Sequence, residues 1–475
     1  MPKLNPIQIR NLGVYGLIRQ PEVEDNLIPD GAVTESINVH FDRKGAVTLR
    51  NGYTIIGSQI SNDYSCLGLF NSLFSDSSKN CLLAVFSDGT NNDIYKSTGG
   101  AWSKSLEDDT KDLKTRFVSF ANRTIRVNGT DAVKCFNGTT WETTGNPINP
   151  DTAPIGKYIE VFKSKIYILT NTRLNYSETV DSSGYITWDT ANNYTDINPN
   201  DGEIFSGLKR FATQLLVFKP NYIYRFNTSG TDPDPLIKVG TRSNESIVEG
   251  KKGIYFHHDT GFYLYGGDYP ENISLRISDI VKAIPLSYYD DISGWSDNDH
   301  IYWSVGDLTI DGESWTNVIC RYTESSKVWT IYSTADEIVW GAPYNNGTSI
   351  LQVVGDNDGK IYTFDSGTTD NTTPIKFRMM TKWYELDSIF NRKTIQQINT
   401  LCLKALETHL SYQVDDWSLN HFEPIGQITK WQNYFKNLNI KGHRIRFKIS
   451  GVSSQEAFIF MGIILVDLSS EFNVE

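Results

Sequence analysis

The residue types that could do chemistry in this chain are few and scattered. Gly355-Asp-Asn-Asp-Gly-Lys-Ile-Tyr362 sets two carboxylates and an amide around a turn, the kind of oxygen cluster that holds calcium. A calcium shell takes about six oxygens, and no further carboxylate lies nearby, so Asp356 and Asp358 read as a plain Asp-Gly turn. His257-His258-Asp259 holds two adjacent imidazoles, but neighbouring residues on a strand point to opposite faces and cannot share one metal. The acidic pairs Asp108-Asp109, Asp290-Asp291 and Asp415-Asp416 sit in turn-like contexts and read as solvated loop residues. There is no Gly-x-Ser-x-Gly elbow, no phosphate-cradling Gly-x-x-x-x-Gly-Lys loop and no His-Glu-x-x-His helix. Cys66, Cys81, Cys135, Cys320 and Cys402 are widely spaced with no Cys-x-x-Cys pair, and read as buried thiols of a reducing compartment. The expectation is a non-enzyme with no catalytic, cofactor-binding or metal-binding residue.

The elements that position these residues are more informative. An apolar aromatic strand, a polar turn and a second strand carrying Ile-Tyr or a close equivalent recur every 40 to 50 residues, the period of a β-propeller. The copies begin at Leu82, Ile125, Ile166, Leu215, Ile254, Ile301 and Ile350. Seven hairpins predict an all-β propeller of six to eight blades, seven favoured. Asp88-Gly89, Asn128-Gly129, Asn137-Gly138 and Asp358-Gly359 supply the positive φ that tight hairpin turns need. Trp102, Trp141, Trp188 and Trp329 each follow a hairpin at a similar offset, which suits outer-strand packing between blades.

The 475 residues divide into three parts: an arm over 1–60 that includes a ring-closing strand, the propeller over 61–372, and a β-sandwich-like domain over 373–475. A ring closed from both chain ends has no exposed sheet edge. In the last part Arg444, Arg446 and Lys448 alternate with Ile445, Phe447 and Ile449, giving one basic and one apolar face. The basic face is either a solvated outer surface or a contact for an acidic partner. A net charge of −12 argues against a protein that neutralises phosphates along its surface, although an acidic wall lets a passing polyanion slide. The N-terminus has no secretory pattern and no run is long enough to cross a bilayer, so synthesis in the cytoplasm and no membrane insertion are expected.

The run from Asn38 to Arg50-Asn51-Gly52-Tyr53 resembles the opening of short-tailed phage tail-hub, or packaged-DNA-stabilisation, proteins. There an early Asn precedes a Gly and then an Arg-x-Gly-aromatic turn, often with a proline where this chain has Asn51. Leu174-Asn-Tyr-Ser-Glu-Thr179 looks like that family's short strand ending in Tyr-Ser, and Arg444 to Leu468 looks like its closing sandwich strands. The resemblance implies a virion structural protein made in the bacterial host cytoplasm. It would form a homo-oligomeric ring, a hexamer favoured, docked below the portal and adaptor, with tail fibres or spikes as further partners. Double-stranded DNA would be passing cargo, and no cofactor is implied. The subunit interface is expected at Arg10, Arg19, Glu22 and Glu24 of the arm and at Arg444, Arg446 and Lys448, segments with strand character and no partner within the repeat. The alternative is a carbohydrate-binding or sialidase-like glycan-processing propeller. It rests on Asp181-Ser-Ser-Gly-Tyr-Ile-Thr-Trp188, which is similar to one Asp-box hairpin. An Asp-box is a structural turn, and nothing here singles out a Tyr nucleophile, its acid partner or an arginine cluster.

Overall fold

Strands of two to thirteen residues, punctuated by Gly and Asn turns, build the greater part of the chain in this computed structural model. It describes residues 3–471 apart from 21–22, 25–26, 42–44, 61–63, 146, 172, 183, 199, 227–233, 236, 386–389, 404–407, 416–420, 430 and 454–458.

Seven four-stranded antiparallel units follow one another along the described residues, 66–110, 116–142, 158–196, 207–235, 248–272, 293–333, and 338–364 completed by Tyr53–Ile55; the first five are separate sheets and the last two belong to one larger sheet. The first strands of successive blades neighbour one another, the fourth blade's through Asn244–Ser246 just ahead of the fifth, and the seventh blade's first strand, Ile338–Asn345, returns to Cys66–Ser72 of the first. That closed circuit is a seven-bladed propeller. The seven sequence hairpins are the second and third strands of the seven blades. Each blade is too thin to bury both its faces alone, so the apolar side chains lie between blades. Trp303 and Trp329 are fully buried and stack at 5.9 Å, and Phe262 packs on both at 4.5 and 5.4 Å.

The tryptophans that follow the hairpins share one device. Trp141 Nε1 of the second blade donates to Ser105 Oγ of the first (3.1 Å), and Trp329 Nε1 of the sixth donates to Ile273 O just after the fifth (3.0 Å). Trp102 Nε1 donates to Ile56 O beside the closing strand (2.8 Å), and Trp188 Nε1 donates to Ile148 O between the second and third blades (3.1 Å). In every case the indole bonds back to the preceding blade or to the segment leading from it. Each ring thus fills a gap and satisfies its one polar atom.

Residues beyond 372 and pieces of the arm form two facing sheets. One sheet runs Gln432–Gly442, Arg392–Leu403, Ile459–Glu471, Val47–Leu49, Val39–His40, with Ile7–Arg10 also on Ile459–Glu471. The other runs Ala32–Ile37, Thr373–Thr381, Ile445–Ser453, Thr408–Val414, Glu423–Ile428. Between them lies a core that includes Val33, Phe377, Ile398, Phe447 and Ile463. Ala32–Ile37 also pairs in parallel with Val328–Ser333, the outer strand of the sixth blade, so propeller and sandwich share one continuous sheet. Among the described residues no helix is long and apolar enough to cross a membrane.

Candidate assembly surfaces and the buried joint

Asn38, Arg50, Gly52 and Tyr53 meet where the two bodies join. The strand Ala32–Ile37 ends at Asn38, whose φ of 60° lies in the left-handed region that Asn tolerates better than most residues. Its side chain then takes over the strand's work. Asn38 Nδ2 donates to Ser333 O of the propeller (2.9 Å) and to Lys376 O of the sandwich (2.7 Å). Asn38 Oδ1 accepts from Ser333 N (3.0 Å) and from Arg50 Nε (2.8 Å). Arg50 in turn forks onto Asp370 at 2.7 and 2.6 Å, donates to Asn51 O at 2.8 Å, and stands 5.3 Å over the Tyr332 ring. The Arg50 and Asp370 side chains are only 1% and 4% exposed.

Gly52 is required by close approach, since a Cβ there would lie 1.8 Å from Thr369 O. Tyr53 begins the closing strand, donates to Asp336 Oδ2 at 2.9 Å and accepts from Asp336 N at 3.0 Å. Burial and the neighbouring Asp370 and Asp336 carboxylates push the Tyr53 phenol far above its ordinary range, so it stays a donor. Beside the joint a cleft of about 990 Å³ separates Glu313–Thr316 and Ser333–Ala335 of the propeller from Thr373–Arg378 and Ser450–Val452 of the sandwich. Arg378 bridges it by pairing with Glu313 at 2.6 Å and with Glu35.

The expected interface residues do not form one patch. Arg19 is used within the chain: it pairs with Asp279 at 2.8 Å and with Asp311, and lies 5.6 Å over the Trp315 ring. Arg446 is also buried, not on a solvated face, because Gln413 Oε1 accepts from its Nε at 2.7 Å and Trp383 and Phe422 cover its guanidinium at 4.7 and 5.3 Å. Arg444 and Lys448 are half-buried beside those rings. Arg10 and Glu24 are exposed, and Glu22 lies outside the described residues.

The acidic pair Asp290-Asp291 belongs to an arrangement that sequence reasoning missed. At one end of the propeller axis Lys114, just ahead of the second blade, donates to Asp291 Oδ1 and Asp290 O, both at 2.9 Å, beside the sixth blade. Arg116 Nε donates to Glu245 Oε1 at 2.7 Å beside the fifth. Burial pushes the Glu245 carboxyl up, but Arg116 and Lys114 outweigh it and hold it at about 2. These pairs cross the axis. Below them is a cavity of about 380 Å³ lined by inner strands, including Phe70, Phe117, Glu160 and Trp340. Residues 177 positions apart cannot be paired from spacing alone, and no motif marks them.

The other chemistry-bearing positions act as turns and packing groups. Asp356 is buried and accepts from Asp358 N, Lys360 N and Tyr362 Oη at 3.0, 2.7 and 2.9 Å, which leaves its carboxylate serving its own hairpin. Asp181 accepts from Tyr185 N at 2.9 Å in the hairpin similar to an Asp-box. His257 packs edge-on to Phe262 and Tyr289, and burial lowers its pKa to about 3. His258 is bonded to Thr260 instead. The Asp108 side chain and Asp416 lie outside the described residues. Among the described residues no three His, Cys, Asp or Glu side chains are grouped to hold a metal.

Comparison with known proteins finds no matching family and no matching curated protein. Among solved structures the chain is similar to YCF48 bound to D1 peptide, with a TM-score of 0.42 and 11% identity over 67% of this chain and 97% of that one. It is also similar to Sqt1 of Saccharomyces cerevisiae, with a TM-score of 0.39 and 8% identity over 65% of this chain and 99% of that one. These likenesses concern the propeller fold alone, which hosts many functions.

Proposed function

We propose that this chain is a structural, non-catalytic ring subunit of a short-tailed phage tail: a hub that docks below the portal and adaptor, retains packaged DNA and anchors distal tail parts. One observation supports the reading above others. Asn38, Arg50, Gly52 and Tyr53, from the first of the three segments on which the resemblance to tail hubs rests, lock arm, propeller and sandwich together. A subunit that transmits force between rings needs its two bodies held in a fixed relation, and a buried, fully hydrogen-bonded joint provides that. In this reading the duplex runs through the opening of the assembled ring. The propeller's own axis is crossed by the Lys114–Asp291 and Arg116–Glu245 pairs and is unsuited to it.

The test is quantitative mass spectrometry of purified phage particles from the source, scaled to the major capsid protein. About six to twelve copies per particle are expected for a closed ring component. Absence from particles sinks the reading.

A further inference from the structure

We propose that the outer face of the sandwich sheet formed by Ile7–Arg10, Ile459–Glu471, Arg392–Leu403 and Gln432–Gly442 is a subunit contact that receives the acidic propeller of a second copy of this chain. The inference rests on the ring-subunit reading above. Along these strands Ile9, Ile463, Leu465 and Ile398 point into the sandwich core, and their neighbours in sequence point away. Cross-strand register gathers the outward residues into rows: Gln8, Ile464, Asn399 and Tyr434 in one, Arg10, Gly462, Leu401 and Gln432 in the next, then Val466, Gln397 and Lys436. Ile464, Val466 and Leu401 are half-buried, and Tyr434 is 55% exposed. The patch therefore has an apolar centre with the cations Arg10 and Lys436 on its margin, and no acidic side chain among its described residues. An apolar centre with a polar rim and an exposed Tyr is the anatomy of a protein contact.

Charge selects the occupant. Residues 61–372 hold 26 Lys and Arg against 40 Asp and Glu, a net charge of −14, whereas residues 373–475 hold 12 against 10, a net of +2. Two copies of the basic-rimmed face repel each other, so a two-fold pairing of this face with itself is disfavoured. Sandwich to propeller is a head-to-tail contact, and repeating it by rotation closes a ring.

Native mass spectrometry and light scattering on the full chain test this. The expected result is a discrete higher-order species at low salt that weakens as salt rises. Both the double variant Arg10→Glu with Lys436→Glu and the single variant Tyr434→Asp should weaken it at least tenfold while thermal midpoints stay unchanged, because these side chains are exposed. Carbodiimide cross-linking of mixed light and heavy-isotope wild-type chains should join Lys436 of one copy to a propeller carboxylate of another, which needs no variant. A monomer at all concentrations, a two-fold dimer, or a ring indifferent to these changes would overturn the assignment. A ring indifferent to them yet present in particles at ring copy number would leave the hub reading standing. Face-dependent assembly by a chain absent from particles would do the reverse.

Discussion

Removing the Arg50 guanidinium isolates the joint between propeller and sandwich. In Arg50→Ala, Asp370, 4% exposed in the intact pair, loses both of its charge-assisted bonds, and Asn38 Oδ1 loses its bond to Arg50 Nε. Each charge-assisted bond is worth about 1.5–3 kcal/mol. Leaving one partner of a buried pair uncompensated costs about 3–5 kcal/mol as a whole. We expect a loss near the middle of that range, read as a lowered midpoint in urea unfolding followed by tryptophan fluorescence. Asp370→Asn should cost a similar amount, because it strands the guanidinium instead. The double variant Arg50→Ala with Asp370→Asn should cost less than the sum of the two singles by about 2 kcal/mol, since no unpaired charge is left buried. A single-variant loss under about 1 kcal/mol, or strict additivity, would show that water reaches the joint and would refute the account of a dry lock.

Four further outcomes follow from local geometry and titration. Gly52→Ala forces a Cβ against Thr369 O and should cost at least about 2 kcal/mol in the same assay, whereas Gly100→Ala, with nothing within 4 Å, should be neutral within about 0.5 kcal/mol. Glu245 has its carboxyl lowered from 4.5 to about 2, so it stabilises the fold above pH 4.5 and that contribution is lost as pH falls toward 2. Glu245→Gln should remove on the order of 3 kcal/mol at neutral pH and flatten that acid limb in a thermal-midpoint series. His257 is held neutral, with its pKa lowered from 6.5 to about 3, so the fold loses stability as pH drops below 6.5. His257→Leu should reduce the loss between pH 7 and 5 by about 2 kcal/mol. All five cysteines are buried, and burial raises each thiol, Cys66 to about 12 and Cys81 to about 11. Ellman's reagent should therefore react within minutes only after denaturation.

How far the sequence could be read depended on the range of each interaction. The blades were legible because Leu82–Tyr95 or Leu215–Phe226 carries strand, turn and strand within a dozen residues, and period-two burial leaves its mark on such a segment. The packing role of the tryptophans was legible for the same reason, although not that their indole N–H groups all bond backwards. The alternation at Arg444 to Ile449 identified the apolar face through Ile445, Phe447 and Ile449. It could not show that Trp383 and Phe422 would cover Arg446, because those rings come from other segments.

The site itself was hidden for a related reason. Asn38 and Arg50 stood out in the sequence only through resemblance, since their partners Ser333, Asp370 and Lys376 are some 280 to 340 positions away. An Asn that ends one strand looks like any turn residue until the strands on both sides of it are known. The same side-chain amide then completes a hydrogen-bond ladder between two bodies, and neither a carboxylate nor a longer amide could do so in that space. Asp would turn an acceptor oxygen instead of an N–H₂ donor toward the carbonyls of Ser333 and Lys376, leaving both unpaired, and Gln would add a methylene to a position 2% exposed. An arm that must meet both bodies within one short run leaves little freedom at Asn38, Arg50 and Gly52.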